Sequence, residues 1–205
     1  MAPSLTRRAR ERQETYDRIL EAARELFARD GYENVTMRAI AKRIEYTPTA
    51  IYHHFRDKEA LLTELCHIDF RALASAFLRI GRVEDPVERL MKIGAAYVDF
   101  ALEHPAQYRF LFLMRHPKDM EHLEKENPEE DAYGFLRQTV SECIAAGRFR
   151  PEYHDPDRVA QICWASGHGV IALHMNFEGD EWVNWRDPRE TARLMMEAQM
   201  RGMLA

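Results

Sequence analysis

Apolar positions recur with the period of an α-helix along most of the chain. Tyr16, Ile19, Leu20, Ala23, Leu26 and Phe27 fall at i, i+3, i+4, i+7, i+10 and i+11, which makes one stripe on a helix expected over 14–29. Asp30-Gly31 ends it, because Gly31 suits the left-handed position that closes a helix. The same periodicity predicts helices over 37–44, 48–54, 58–80, 86–103, 105–114, 128–147, 156–177 and 188–203. Five of the starts share one design: Asp85-Pro86, His104-Pro105, Asn127-Pro128, Asp155-Pro156 and Asp187-Pro188 each set a side chain directly before a proline. Proline at the first helical position loses nothing by lacking an N–H, and Asp or Asn before it accepts from an orphan donor of the first turn. Histidine is the weakest cap of the five. Strand signals are scarce, so the expected fold is all-α with about nine helices, and the charged stretch 115–131 reads as a loop.

The two short helices carry the first functional signal. Thr36 caps one, with Val35 placed to touch Ile40, and Thr47 caps the other, with Tyr46 placed to touch Ile51, a hydrophobic staple in each case. Two capped helices separated by Glu45-Tyr46 make a helix-turn-helix, whose second helix enters the DNA major groove. Thr47, Thr49, Tyr52 and His53 offer hydroxyl and imidazole groups there, and Pro48 offers a compact apolar contact. Arg38 is placed for a guanine or a phosphate, and Lys58, after the Asp57 cap, for a phosphate. Capping, packing and solvated charge would explain any one of these residues alone.

Charge changes the picture where composition does not. With 46% apolar and 31% charged residues, the 205-residue chain is an ordinary globular protein able to bury a full core. Its net charge of −5 by itself argues against a nucleic-acid partner. Residues 1–58, however, hold 12 Lys and Arg against 9 Asp and Glu, a net of +3, while the remainder holds 17 against 25, a net of −8. A basic head and an acidic body are implied. Cys66, Cys143 and Cys163 have no paired spacing and read as small buried apolar residues, with a redox-sensing thiol as the alternative. No secretory leader or apolar run of membrane-spanning length is seen, so a cytoplasmic location is expected. No Gly-rich phosphate loop, His-Glu-x-x-His helix or Gly-x-Ser-x-Gly elbow is present, which speaks against an enzyme, and no metal or cofactor is expected.

Residues 36–62, TMRAIAKRIEYTPTAIYHHFRDKEALL, with the preceding RILEAARELFARDGYENV, resemble the signature of the TetR-like repressor family. Ile51-Tyr52-His53-His54-Phe55 followed by Lys58-Glu59 is its most specific part. The resemblance implies DNA contacts at Thr36, Arg38, Thr47, Thr49, Tyr52, His53 and Lys58, and places Phe55 in the packing of the head. It divides the chain into a DNA-binding domain over 1–60 and a ligand-binding and dimerisation domain over 61–205, and it implies a ligand-responsive repressor that binds an operator in double-stranded DNA as a homodimer. The turn residue that is commonly glycine in that family is Glu45 here. A left-handed Glu45 would cost on the order of 1 kcal/mol, so a slightly altered turn is expected.

Beyond residue 62 two segments stand out. Aromatics flank Pro105 in YVDFALEHPAQYRFLF, and WASGHGVIAL begins at Trp164. Together they resemble a TetR-like subgroup whose C-terminal domain carries a Trp-x-x-x-His-Gly motif. Trp164 and His168 share a helix face. Gly167 and Gly169 need a reason inside a helix, either a close helix approach or room for a ligand. His168 reads either as an imidazole bonded to a neighbouring carbonyl or hydroxyl, or as the polar anchor of an aromatic pocket formed with Tyr97, Phe100, Phe112, Phe135 and Trp164. Trp164 reads as pocket wall or as simple core. The effector expected of such a pocket is small and largely apolar. The resemblance implies a dimer through the last two helices, where Ala165, Ser166, Gly169 and Ala172 allow close approach and Leu194, Met195, Ala198 and Met203 supply a stripe. A helical small-molecule carrier without DNA binding is the rival reading.

Overall fold

A computed structural model describes residues 6–115 and 131–205. The described residues form nine α-helices: α1 (Arg7–Asp30), α2 (Met37–Arg43), α3 (Pro48–Tyr52), α4 (Lys58–Leu78), α5 (Pro86–Glu103), α6 (Pro105–Tyr108), α7 (Ala132–Ala145), α8 (Pro156–Phe177) and α9 (Pro188–Met203). Among these residues the one β-type contact is an isolated antiparallel bridge between Phe149 and Leu204. The all-α expectation is met. The expected helix start at Asn127-Pro128 and most of the charged stretch lie outside the described residues, and α7 is capped by Asp131, which accepts from the Gly134 N–H at 2.8 Å.

Three of the Asp-Pro pairs do what their chemistry dictates. Asp85, Asp155 and Asp187 each accept two first-turn N–H bonds, and Pro follows each at the first helical position. His104 instead closes α5, its N–H bonding the Phe100 carbonyl. The helix after it is broken into four α-helical residues and a π-helical turn over Arg109–Leu113. No single α-helical stripe fits Tyr108, Phe110 and Leu111, all of which are buried. The α1 helix begins seven residues before the expected start at 14, because Thr6 caps it and accepts from the Ala9 N–H at 3.4 Å, and the added turns are exposed and polar.

The chain divides into two compact units. The first holds the described residues up to Asp69 together with those from Ala106 to Arg115; the second holds Phe70–Pro105 and the described residues from Asp131 onward. Helix α4 runs unbroken through the division. In the first unit Ile19, Ala23 and Phe27 of α1, Ile40 of α2, Ile51 of α3 and Leu61, Leu62 and Leu65 of α4 are fully buried together with Tyr108 and Phe110. Phe55 is buried beside Tyr16, ring centroids 5.2 Å apart, and the Tyr16 hydroxyl donates to Glu64 at 2.5 Å. In the second unit α5 packs against α7, α8 and α9, with α7 and α9 both on α8. An ideal Cβ on Gly94 of α5 would lie 2.2 Å from the Met196 sulfur, so glycine there lets α9 close on α5.

Charge is buried at one place in the first unit. Arg24 of α1 is 7% exposed and Asp69 of α4 not at all. The guanidinium donates to both carboxylate oxygens at 2.8 Å, and Gln107 adds a third bond to Asp69 at 2.8 Å. Glu21 takes another guanidinium N–H. Burial works against the Arg24 charge, yet the bonds to Asp69 and its charge outweigh it and raise the Arg24 pKa. Removing one partner of a buried pair typically costs about 3–5 kcal/mol, whereas apolar replacement of both is near neutral. Denaturant melts of Arg24→Met, Asp69→Leu and the double variant are therefore expected to show two large losses and a double loss well below their sum. Additive small effects would contradict the pair's role.

Candidate nucleic-acid interface and sensing cluster

The turn between α2 and α3 is a Schellman motif. Glu45 has φ 60°, its N–H bonds the Lys42 carbonyl at 3.2 Å, and the Tyr46 N–H bonds the Ala41 carbonyl at 2.9 Å. Glu45 is the one non-glycine with positive φ among the described residues. The turn keeps the geometry a glycine would give it and carries about 1 kcal/mol of left-handed strain, so no altered turn is needed. Thr36 and Thr47 cap α2 and α3, accepting from the Ala39 and Ala50 N–H groups at 3.1 and 3.3 Å. Each hydroxyl keeps its own proton to donate. The sequence also sets Tyr46 against Ile51; in the structure Tyr46 reaches α1, where Arg18 lies 5.2 Å over its ring and donates to the Ile44 carbonyl at 3.0 Å.

Thr36, Arg38, Thr47, Pro48, Thr49, Tyr52 and His53 are all exposed. Tyr52 is 54% accessible, a large amount for an aromatic ring beside a buried Ile51. Arg38 makes no ion pair with any described residue. Lys58 differs from expectation. Its ammonium donates to the Tyr32 and Val35 carbonyls at 2.7 and 2.9 Å and sits 4.0 Å from the Tyr32 ring centroid, so it ties α4 to the turn after α1. Sequence reading missed this because the acceptors are backbone atoms of a 3₁₀ turn over Tyr32–Asn34 that no periodicity announces.

In the second unit the structure brings together three of the six residues expected to form a pocket. The Trp164 Nε1–H donates to the Tyr97 hydroxyl at 3.1 Å, and that hydroxyl lies 3.1 Å from His168 Nδ1. Burial pushes the His168 pKa below its usual 6.5, which favours the neutral imidazole. Tyr133, which the sequence does not single out, packs on Trp164 with centroids 6.0 Å apart. Phe100 lies against His104, Phe135 against Phe77, and Phe112 belongs to the first unit, against Tyr108. A Cβ on Gly167 would make ordinary contact with Tyr97 at 3.6 Å, and one on Gly169 would meet nothing within 4 Å, so neither glycine is required by packing inside the protomer.

Apolar side chains stand among the exposed positions of α8 and α9, beside the exposed Arg189, Glu190 and Arg193 of α9. Ala165, Leu173, Leu194, Met195 and Ala198 are exposed, and Ser166, Gly169 and Ala172 half-buried. Ile162 and Phe177 extend the α8 face beyond the residues named from sequence. Met203 does not belong to it: it is 2% exposed, in phase with the buried Ala192, Met196 and Met200, and its carbonyl accepts from the Arg150 N–H at 2.9 Å. Burial raises the Cys66 and Cys163 thiols to about 12 and the Cys143 thiol to about 11, which leaves none as a ready thiolate. No helix among the described residues is long and apolar enough to cross a membrane, and no group of three or more His, Cys, Asp or Glu side chains among them is arranged to hold a metal ion.

Comparison with known proteins decides the family. The profile of bacterial regulatory proteins of the tetR family matches residues 19–65, and that of the tetracycline repressor-like C-terminal domain matches residues 90–199. The chain belongs to the TetR family. The chain is similar to the HTH-type transcriptional regulator UidR of Escherichia coli K12, 39% identical over 94 residues, which are 45% of this chain and 42% of UidR. The chain thus aligns with less than half of that curated relative. Among solved TetR-family structures, a regulator from Marinobacter aquaeolei VT8 is similar at TM-score 0.75 and 20% identity, covering 95% of this chain and 98% of that one. A regulatory protein from Rhodococcus RHA1 is similar at TM-score 0.66 and 26% identity, covering 90% and 94%.

The depressed His168 pKa has a definite sign in stability. As pH falls, the unfolded chain takes up the proton before the folded one, so the contribution is fully present above about pH 6.5 and is lost as pH falls through the folded value. Chemical denaturation of the wild type and of His168→Gln at a series of pH values is expected to show the wild type losing more stability on acidification. Superimposable pH profiles would contradict the neutral Tyr97–His168 bond.

Proposed function

We propose that this TetR-family chain is a ligand-responsive transcriptional repressor, binding a palindromic operator as a homodimer and released by a small, largely apolar effector. The observation that carries the reading is the α2–α3 pair. Its turn keeps helix-turn-helix geometry even at the cost of a left-handed glutamate, and Thr47, Pro48, Thr49, Tyr52 and His53 stand exposed on α3 or at its ends. Thr36 and Thr47, with hydroxyl protons to spare, suit phosphate contacts. Thr49, Tyr52 and His53 suit base edges, and Arg38 suits either. The Lys58 ammonium spends two of its three N–H groups on the Tyr32 and Val35 carbonyls and has one to offer a phosphate.

The α8 and α9 outer faces, with Gly169 open to approach, suit a two-fold interface that would set two reading helices about 34 Å apart, one DNA turn, or somewhat more. Tyr97, Trp164 and His168, joined by Tyr133, form the polar end of the effector site. Because α4 is continuous across both units, displacement of its second half by an effector carries into the head. A coupling of about 1–3 kcal/mol weakens operator binding about 5- to 150-fold.

Selection of duplexes from a random library at near-physiological salt is expected to recover a shared palindrome. If no sequence is enriched over background, the reading fails and a carrier without DNA binding takes its place.

A further inference from the structure

Helix α1 overshoots the rest of the head at its N-terminal end. Its inward stripe of Tyr16, Ile19, Ala23 and Phe27 packs on the helix-turn-helix and α4, and stepping back along the same face by one and two turns gives Arg12 and Arg8. A stripe that contacted protein there would be apolar. It is instead cationic and exposed, and neither arginine makes an ion pair with any described residue. Arg7, by contrast, lies on the opposite side and pairs with Glu11 at 2.8 Å. The Thr6 cap keeps these turns helical up to the end of α1.

Position links the two arginines to α3. Thr15 and Arg18 meet Tyr46 in the turn before α3, and Tyr16 lies against His54 and Phe55 just after it, with centroids 6.2 and 5.2 Å apart. Burial first, then the charges of Arg12 and His53, hold the His54 pKa low, which places Arg12 within electrostatic reach of the end of α3. Arg8 follows one turn, about 6 Å, farther along.

We propose that Arg8 and Arg12 form a second DNA contact, a helical clamp on the phosphates flanking the segment that α3 reads. The inference rests on the DNA-binding reading above and adds a surface that the helix-turn-helix does not include. Phosphate contacts of this kind add affinity without base preference, and each adds about 0.9 to the slope of log affinity against log salt.

The test measures binding of the full chain to a mixed-sequence duplex from about 50 to about 200 mM salt. Arg8→Ala/Arg12→Ala is expected to lower the slope by about 2 for each head bound. Arg8→Lys/Arg12→Lys restores it, and Arg7→Ala/Arg10→Ala, which removes the same charge from the other side of the helix, leaves it unchanged. Circular dichroism checks that each variant folds. An unchanged slope in Arg8→Ala/Arg12→Ala, or equal losses in both alanine pairs, overturns the clamp while wild-type binding leaves the DNA-binding reading standing. Absence of salt-dependent binding in the wild type overturns both.

Discussion

Arg24 and Asp69 meet away from water through two parallel bonds, and the first unit is arranged around that meeting. Arg24 lies on the helix that carries the head, Asp69 at the point in α4 where the division between the units falls, and Gln107 on the segment that returns after Pro105. The guanidinium fork fits a carboxylate in one orientation, so the pair fixes rotation and axial position of α1 against α4 where apolar contacts alone allow sliding. The fully buried Ile19, Phe27, Leu62 and Leu65 belong to the same two helices. Tyr16–Glu64 and Lys58 with the Tyr32 and Val35 carbonyls add polar ties between α4 and the segments before it. The reading helix has only five residues, far too few to be stable alone, and its place depends on these attachments.

In the second unit the polar chain Trp164–Tyr97–His168 ties α5 to α8 through two bonds, from an exposed indole through a buried phenol to a half-buried imidazole.

Much of this could be read from the chain because its signals are local. Asp85, Asp155 and Asp187 before proline, Thr36 and Thr47 before short apolar runs, and Gly31 after a stripe each report a bond within four residues. What escaped was set by distant or backbone partners. The bonds of Lys58 cannot be read from the chain because their acceptors, the Tyr32 and Val35 carbonyls, carry no side-chain signature. Tyr133 and Phe135 differ by two positions and so face different sides of α7; aromatic content alone does not tell which one meets Trp164. Phe112, near Tyr97 in the chain, belongs to the first unit and lies against Tyr108. Met203 looked like surface stripe until the phase of Met196 and Met200 turned it inward.

Amide hydrogen exchange of the full chain, alone and with saturating duplex DNA, tests the central claim most directly. Slowed exchange at the start of α2 and throughout residues 47–54, with the outer faces of α8 and α9 unchanged by DNA, is the result this account predicts. Unchanged exchange over 47–54, or protection confined to the second unit, would contradict it.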